Sequence, residues 1–121
     1  MKKVKRIKVK DLNLEGEELY VEIMMNLKKW LTMVEGESKF VPLTGTYYNG
    51  MQTIGQSRWN IKEGGDFYKY LRYIYNTTKN GFIKKMIGTI VKKGRVTENQ
   101  LSEIGFELER NPEMFMPKIE D

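Results

Sequence analysis

The stretch that decides the fold is residues 66–109, DFYKYLRYIYNTTKNGFIKKMIGTIVKKGRVTENQLSEIGFELE. It reads as three helices in a row. Asp66 is placed to cap the first by accepting a hydrogen bond from a free N–H of the opening turn. Phe67, Tyr70, Leu71 and Ile74 then recur at helical spacing as one apolar stripe. Thr77 to Gly81 breaks the pattern, and Asn80-Gly81 is a turn signal. The second helix spans Phe82 to Lys93. At ~100° per residue, Phe82, Ile83, Met86, Ile87, Ile90 and Val91 cover about half its circumference, which predicts heavy burial. Lys84, Lys85, Gly88 and Lys92 fall on the other side. Gly94 suits the left-handed residue just past a helix end. Thr97 and Gln100 make a capping box, with Val96 and Leu101 where a hydrophobic staple puts them. The third helix turns Leu101, Ile104 and Leu108 inward and stops at Asn111-Pro112.

Upstream the chain changes character. Residues 39–61 hold short β-rich pieces at 39–43, 46–48, 51–54 and 58–61, separated by Gly45, Asn49-Gly50 and Gly55. Asn49-Gly50 between Tyr48 and Met51 is a type I′ hairpin signal, and the region reads as a small antiparallel meander. Pro42 belongs at a strand end or edge. Before it, Leu19, Ile23, Leu27, Trp30, Leu31 and Val34 keep helical spacing, closed by Gly36. Residues 19–25 also alternate as a strand would, but continuation of the stripe through Trp30 favours the helix. Residues 2–10 read as a lysine-bearing edge strand, or as a basic arm that orders on a nucleic-acid backbone.

The expected fold is therefore α+β. One domain over residues 1–112 has a small antiparallel meander, one helix before it and three consecutive helices after it. Residues 113–121 read as a loose tail. Met114, Phe115 and Met116 are apolar for a tail. They either fold back onto their own domain or dock into a second copy or a partner, with Phe115 as the anchor.

A chain of 121 residues with neither cysteine nor histidine lacks a thiolate nucleophile, a neutral-pH imidazole base and the usual soft metal ligands. No enzyme activity and no cofactor are expected. No apolar run reaches the ~20 residues of a membrane-spanning helix, so the expected location is the cytoplasm. The net charge of +5 conceals segregation: residues 67–97 carry eight Lys/Arg and no acid, whereas residues 98–121 carry two against seven acids. A basic block inside a folded region points to a polyanion or an acidic protein surface, although lysines also line helix faces for solubility.

Flat rings lie beside these cations: Tyr47 and Tyr48 in the meander, Trp59 next to Arg58, and Tyr68, Arg72 and Tyr75 along one flank of the first basic helix. Rings that stack on bases and cations that meet phosphates are the machinery of single-strand binding. The candidate contacts are Arg58, Trp59, Tyr68, Arg72, Tyr75, Lys84, Lys85, Lys92 and Arg95. Gly64-Gly65-Asp66 could present N–H groups to a phosphate, but Asp66 opposes an anion there and a flexible helix entry accounts for the glycines.

The run from Phe82-Ile83-Lys84-Lys85-Met86 through Gly94-Arg95-Val96-Thr97 to Gln100-Leu101 resembles a helical hairpin that recurs in phage and mobile-element proteins. Val96 stands where that pattern usually has leucine. The resemblance implies an accessory protein of nucleic-acid processing. It equally implies an anti-defence inhibitor that blocks a host nuclease or CRISPR-type effector, or that sequesters a nucleotide signal, acting in the host cytoplasm. A homo-oligomer held through Met114, Phe115 and Met116 would suit the second.

Overall fold

The computed structural model describes residues 3–33, 40–42, 47–48, 51–52 and 57–120. The described residues form an α+β fold. Helix α1 is Gly16–Met33, α2 Asp66–Thr77, α3 Gly81–Lys93 and α4 Glu98–Arg110. The strands are β1 Lys3–Lys8, β2 Phe40–Pro42, β3 Tyr47–Tyr48, β4 Met51–Gln52, β5 Ser57–Asn60, β6 Arg95–Thr97 and β7 Phe115–Glu120.

Helix wins over strand at residues 19–25. Leu19, Ile23, Leu27, Trp30 and Leu31 are all buried, whereas Val21 and Met25, half of the strand alternation, are 45% and 62% exposed. The stripes of α2 and α4 are buried as the period requires. Trp30 packs edge-on against Phe67 and Tyr70, with ring centroids 5.3 and 5.5 Å away, locking α1 to α2. Gly105 lets α4 approach α1 closely: a Cβ there would lie 3.1 Å from the Met24 sulfur.

The caps are as expected at one junction and different at two. Thr97 and Gln100 form the reciprocal box that opens α4, and Gly94 closes α3 at φ 72°. The cap of α2, however, is Gly65 in extended conformation, so Asp66 lies inside the first turn, favourable to the helix dipole but not a cap. Asn80, read as a turn residue, caps α3: its Oδ1 accepts from the N–H of Phe82 and Ile83 at 3.0 and 3.3 Å. Residues 78–80 alone join the two helices, so the linker must also serve the orphan donors of α3. Phe82, expected inside, is 62% exposed, because the buried arc of α3 narrows to Ile83, Ile87 and Ile90.

The strands are not a simple meander. Among the described residues β3 and β4 pair antiparallel as a two-stranded sheet, while β2, β5 and β6 form another antiparallel sheet in the order β2-β5-β6. Asn49-Gly50 lies outside the described residues, as do Val34, Gly36, Gly45 and Gly55. In the sheet, Trp59 stands opposite both Phe40 and Val96.

The loose tail is overturned. Phe115–Glu120 pairs antiparallel with β1 over Lys3–Lys8, and Met114, Met116 and Ile119 join the core. A short run ending in charge looks like a tail, but it needs only a partner strand to become structure, and the N-terminal strand supplies one. The lysines of this end are matched by acids: Lys5 with Glu120, and Lys8 and Lys10 with Glu113. The N-terminal arm is therefore a paired strand. Met114 and Met116, named for contacts between copies, are used inside their own chain.

Candidate functional site

Helices α2 and α3 form an antiparallel hairpin, and the flanks they turn toward each other and toward solvent differ from their buried faces. On α2 the flank is Tyr68, Arg72, Tyr75 and Asn76. On α3 it is the i, i+4, i+8 row Lys84, Gly88 and Lys92, with Val91 beside it. Three facing pairs result. The Lys84 ammonium lies 5.7 Å from the centroid of the Tyr75 ring. Arg72 and Gly88 line one cavity of about 290 Å³ with Tyr75, Asn76, Ile87 and Val91. Tyr68 and Lys92 line the next, of about 430 Å³, where Ile61, Glu63, Lys93 and Gly94 also contribute. Along α2, the Arg72 guanidinium sits 5.9 Å from the Tyr68 ring and reaches its hydroxyl at 3.4 Å.

This groove gathers Tyr68, Arg72, Tyr75, Lys84 and Lys92. Lys85 is exposed on the outer side of α3. Arg58 and Arg95 lie on the outer face of the three-stranded sheet, since Trp59 and Val96 between their flanking residues point inward. Trp59 itself is fully buried and cannot meet a ligand. An aromatic beside an arginine does not reveal which face of a strand it occupies; the pairing with Val96 does.

Charge pairing separates two kinds of cation. Lys5, Lys8, Lys10, Lys28, Lys118 and Arg110 each contact a carboxylate. Among the described residues, the eight basic side chains of residues 67–97 make no such ion pair. Glu63, exposed at one end of the groove, is the carboxylate that lines it.

A second cluster escaped the sequence. Glu107 is 2% exposed, and its carboxylate is surrounded by donors. Oε1 accepts from Asn80 at 3.3 Å and Arg110 at 3.1 Å. Oε2 accepts from Asn111 at 2.9 Å and from the Thr78 hydroxyl. A carboxylate offers about four acceptor positions. All are taken, so Glu107 pins the α2–α3 linker to the end of α4 and has no capacity for a ligand in the adjoining cavity. The helical period places it at the margin of the Leu101, Ile104, Leu108 stripe, three residues from Ile104, but a carboxylate there reads as a solvated flank rather than as a buried group. Among the described residues no three carboxylates converge as a metal site, and no helix is long and apolar enough to cross a membrane.

No protein-family model matches the chain, and neither the curated proteins nor the solved structures contain one significantly similar to it.

Proposed function

We propose that the protein is a non-enzymatic nucleic-acid-binding protein that lays a single strand along the α2–α3 groove. Phosphates meet Arg72, Lys84 and Lys92, with Lys85, Arg95 and Arg58 extending the positive surface. Bases stack on Tyr68 and Tyr75. The observation that carries this reading is the separation of cations: among the described residues six basic side chains elsewhere contact carboxylates, whereas the eight of residues 67–97 do not, and two of these eight, Arg72 and Lys84, sit beside the Tyr68 and Tyr75 rings of the groove. Unneutralised cations attract a polyanion through release of its counterions, and adjacent rings hold bases of any sequence. The resemblance of residues 82–101 to a phage and mobile-element hairpin offers an accessory protein of such an element as the biological setting.

Fluorescence anisotropy with a labelled single-stranded oligonucleotide tests it. Three or four phosphate contacts give a slope of about −2 to −3 in log K against log salt. The combined Lys84→Glu, Lys85→Glu and Lys92→Glu variant should lose binding and keep its fold. No binding by the natural chain at about 50 mM salt overturns the reading.

A second reading, an inhibitor that docks on a host protein, is favoured by a different surface. Phe82 and Phe106 are 62% and 40% exposed, and they line one cavity with Tyr20 and Met86. Tyr20 stacks on Phe106 with centroids 4.5 Å apart. Exposed rings in one place are the usual mark of a protein contact. Replacing Phe82 and Phe106 by serine should abolish that docking and leave oligonucleotide affinity unchanged.

A further inference from the structure

Two helical glycines of this fold differ in their reason for being there. Gly105 is explained by packing, because a Cβ would press on Met24, Tyr20 and Ile23. Gly88 is not: it lies in the middle of α3, its φ is ordinary for a helix, and a Cβ added to it meets nothing within 4 Å. A glycine in a helix interior weakens the helix relative to alanine. The fold therefore gains nothing from Gly88, and what its missing side chain creates is a notch.

The notch is placed between the two lysines of the groove. Lys84 and Lys92 are eight residues apart, about 12 Å along the helix at ~1.5 Å per residue. Opposite the gap stand Arg72, Tyr75 and Asn76. Tyr75 is 43% exposed, so its ring is accessible. The cavity of about 290 Å³ is too small for a duplex and close to the lower end of small-molecule sites, ~300 Å³. Its lining combines buried Ile87 and partly buried Val91 with exposed Arg72 and Asn76. Apolar side chains, an aromatic ring, a planar guanidinium and an amide that both donates and accepts are what a nucleobase requires.

Resting on the nucleic-acid reading, we infer that the notch over Gly88 receives one base of a single strand. The base lies against Tyr75 and beside Arg72, Asn76 meets its edge, and Lys84 and Lys92 hold the phosphates on either side. Gly88 is then the residue that converts a general phosphate-binding surface into one that requires bases.

The test compares a fluorescein-labelled oligothymidylate of about 15 nucleotides with an abasic strand of equal length, at matched salt. The natural chain should bind the abasic strand about tenfold or more weakly, the loss expected for a stacked base. Gly88→Leu, which fills the notch from an exposed position, should lower oligothymidylate affinity by about fivefold or more, part of the way toward the abasic level because stacking on Tyr68 remains, and should narrow the difference between the two strands. Gly88→Ala should raise the melting temperature. Equal affinity of the natural chain for both strands overturns the base subsite and leaves the phosphate reading standing; this arm needs no variant to fold. Undiminished oligothymidylate binding by a folded Gly88→Leu also overturns it. Failure of the natural chain to bind either strand removes the subsite together with the reading beneath it.

Discussion

The hydroxyl of Tyr70 donates a hydrogen bond to the main-chain carbonyl of Phe115 at 2.6 Å, tying the middle of α2 to the first residue of the last strand. Tyr70 is fully buried and burial pushes its phenol well above the ordinary range. The unfolded chain ionises this group near pH ~10, the folded chain only higher. Stability from the neutral phenol is therefore complete below that pH and is lost as pH rises through it. Tyr70→Phe should cost about 1–2 kcal/mol at neutral pH, through the lost bond and the carbonyl left without its donor. Above pH ~10 the deficit should shrink by about 1.4 kcal/mol per pH unit, because the variant lacks the ionisation. Urea titrations of both proteins between about pH 8 and pH 11 read the difference, and parallel curves would remove the phenol from the account.

Glu107 makes a complementary prediction where the end of α4 meets the α2–α3 linker. Its removal strands the donors of Thr78, Asn80 and Asn111 at once. Glu107→Ala should cost about 3 kcal/mol, and Glu107→Gln, which keeps the shape and one acceptor, about 1 kcal/mol. Urea midpoints measure both. If alanine proves no worse than glutamine, the network is ornamental and the cavity beside it deserves a ligand search.

The helical half tests packing and capping. Ile90 is fully buried, so Ile90→Ala should cost about 2–5 kcal/mol by transfer and cavity terms. Thr97→Ala opens the box at the start of α4 and should cost about 1 kcal/mol. An unchanged melting temperature for Ile90→Ala would mean that α3 is rotated about its axis.

How much of this was legible follows from the range of each signal. Helices α2, α3 and α4 are local: period, Gly94 and the Thr97–Gln100 box all lie within a few residues of what they specify. The candidate groove was legible only in part: the period put Tyr68, Arg72 and Tyr75 on one flank and Lys84 and Lys92 on another, but that the two flanks face each other depends on the three-residue linker, which the sequence did not delimit. Strand β6 was not legible. Arg95–Thr97 is too short to show an alternation, and its partner Ser57–Asn60 is far away in the chain. Strand β7 was hidden further by Pro117, a residue that argues against a strand. A two-stranded sheet always has an open edge, where a missing N–H does little harm, and Pro117 stands there opposite Arg6. Phe82 and Trp59 fail in opposite directions for one reason: exposure at the end of a stripe, or on one face of a short strand, depends on what packs there from elsewhere.

The last strand separates an intramolecular clasp from a contact between copies. Met116 is fully buried against its own chain, Met114 and Ile119 nearly so, and β7 packs on α1 as well as on β1. A clasp within one chain stabilises it by an amount that does not depend on concentration, whereas a contact between copies would make the melting temperature rise with protein concentration. Met116→Ala should therefore lower stability by about 2–5 kcal/mol, equally at every protein concentration, with no change in mass by light scattering. Truncation after Asn111 should be more severe. It removes the partner of β1, the acceptor of Tyr70 and three core side chains together, and the remaining chain should lose cooperative unfolding. A truncated chain that melts like the natural one, or a melting temperature that climbs with concentration only when Met116 is present, would place these methionines at an interface between copies instead.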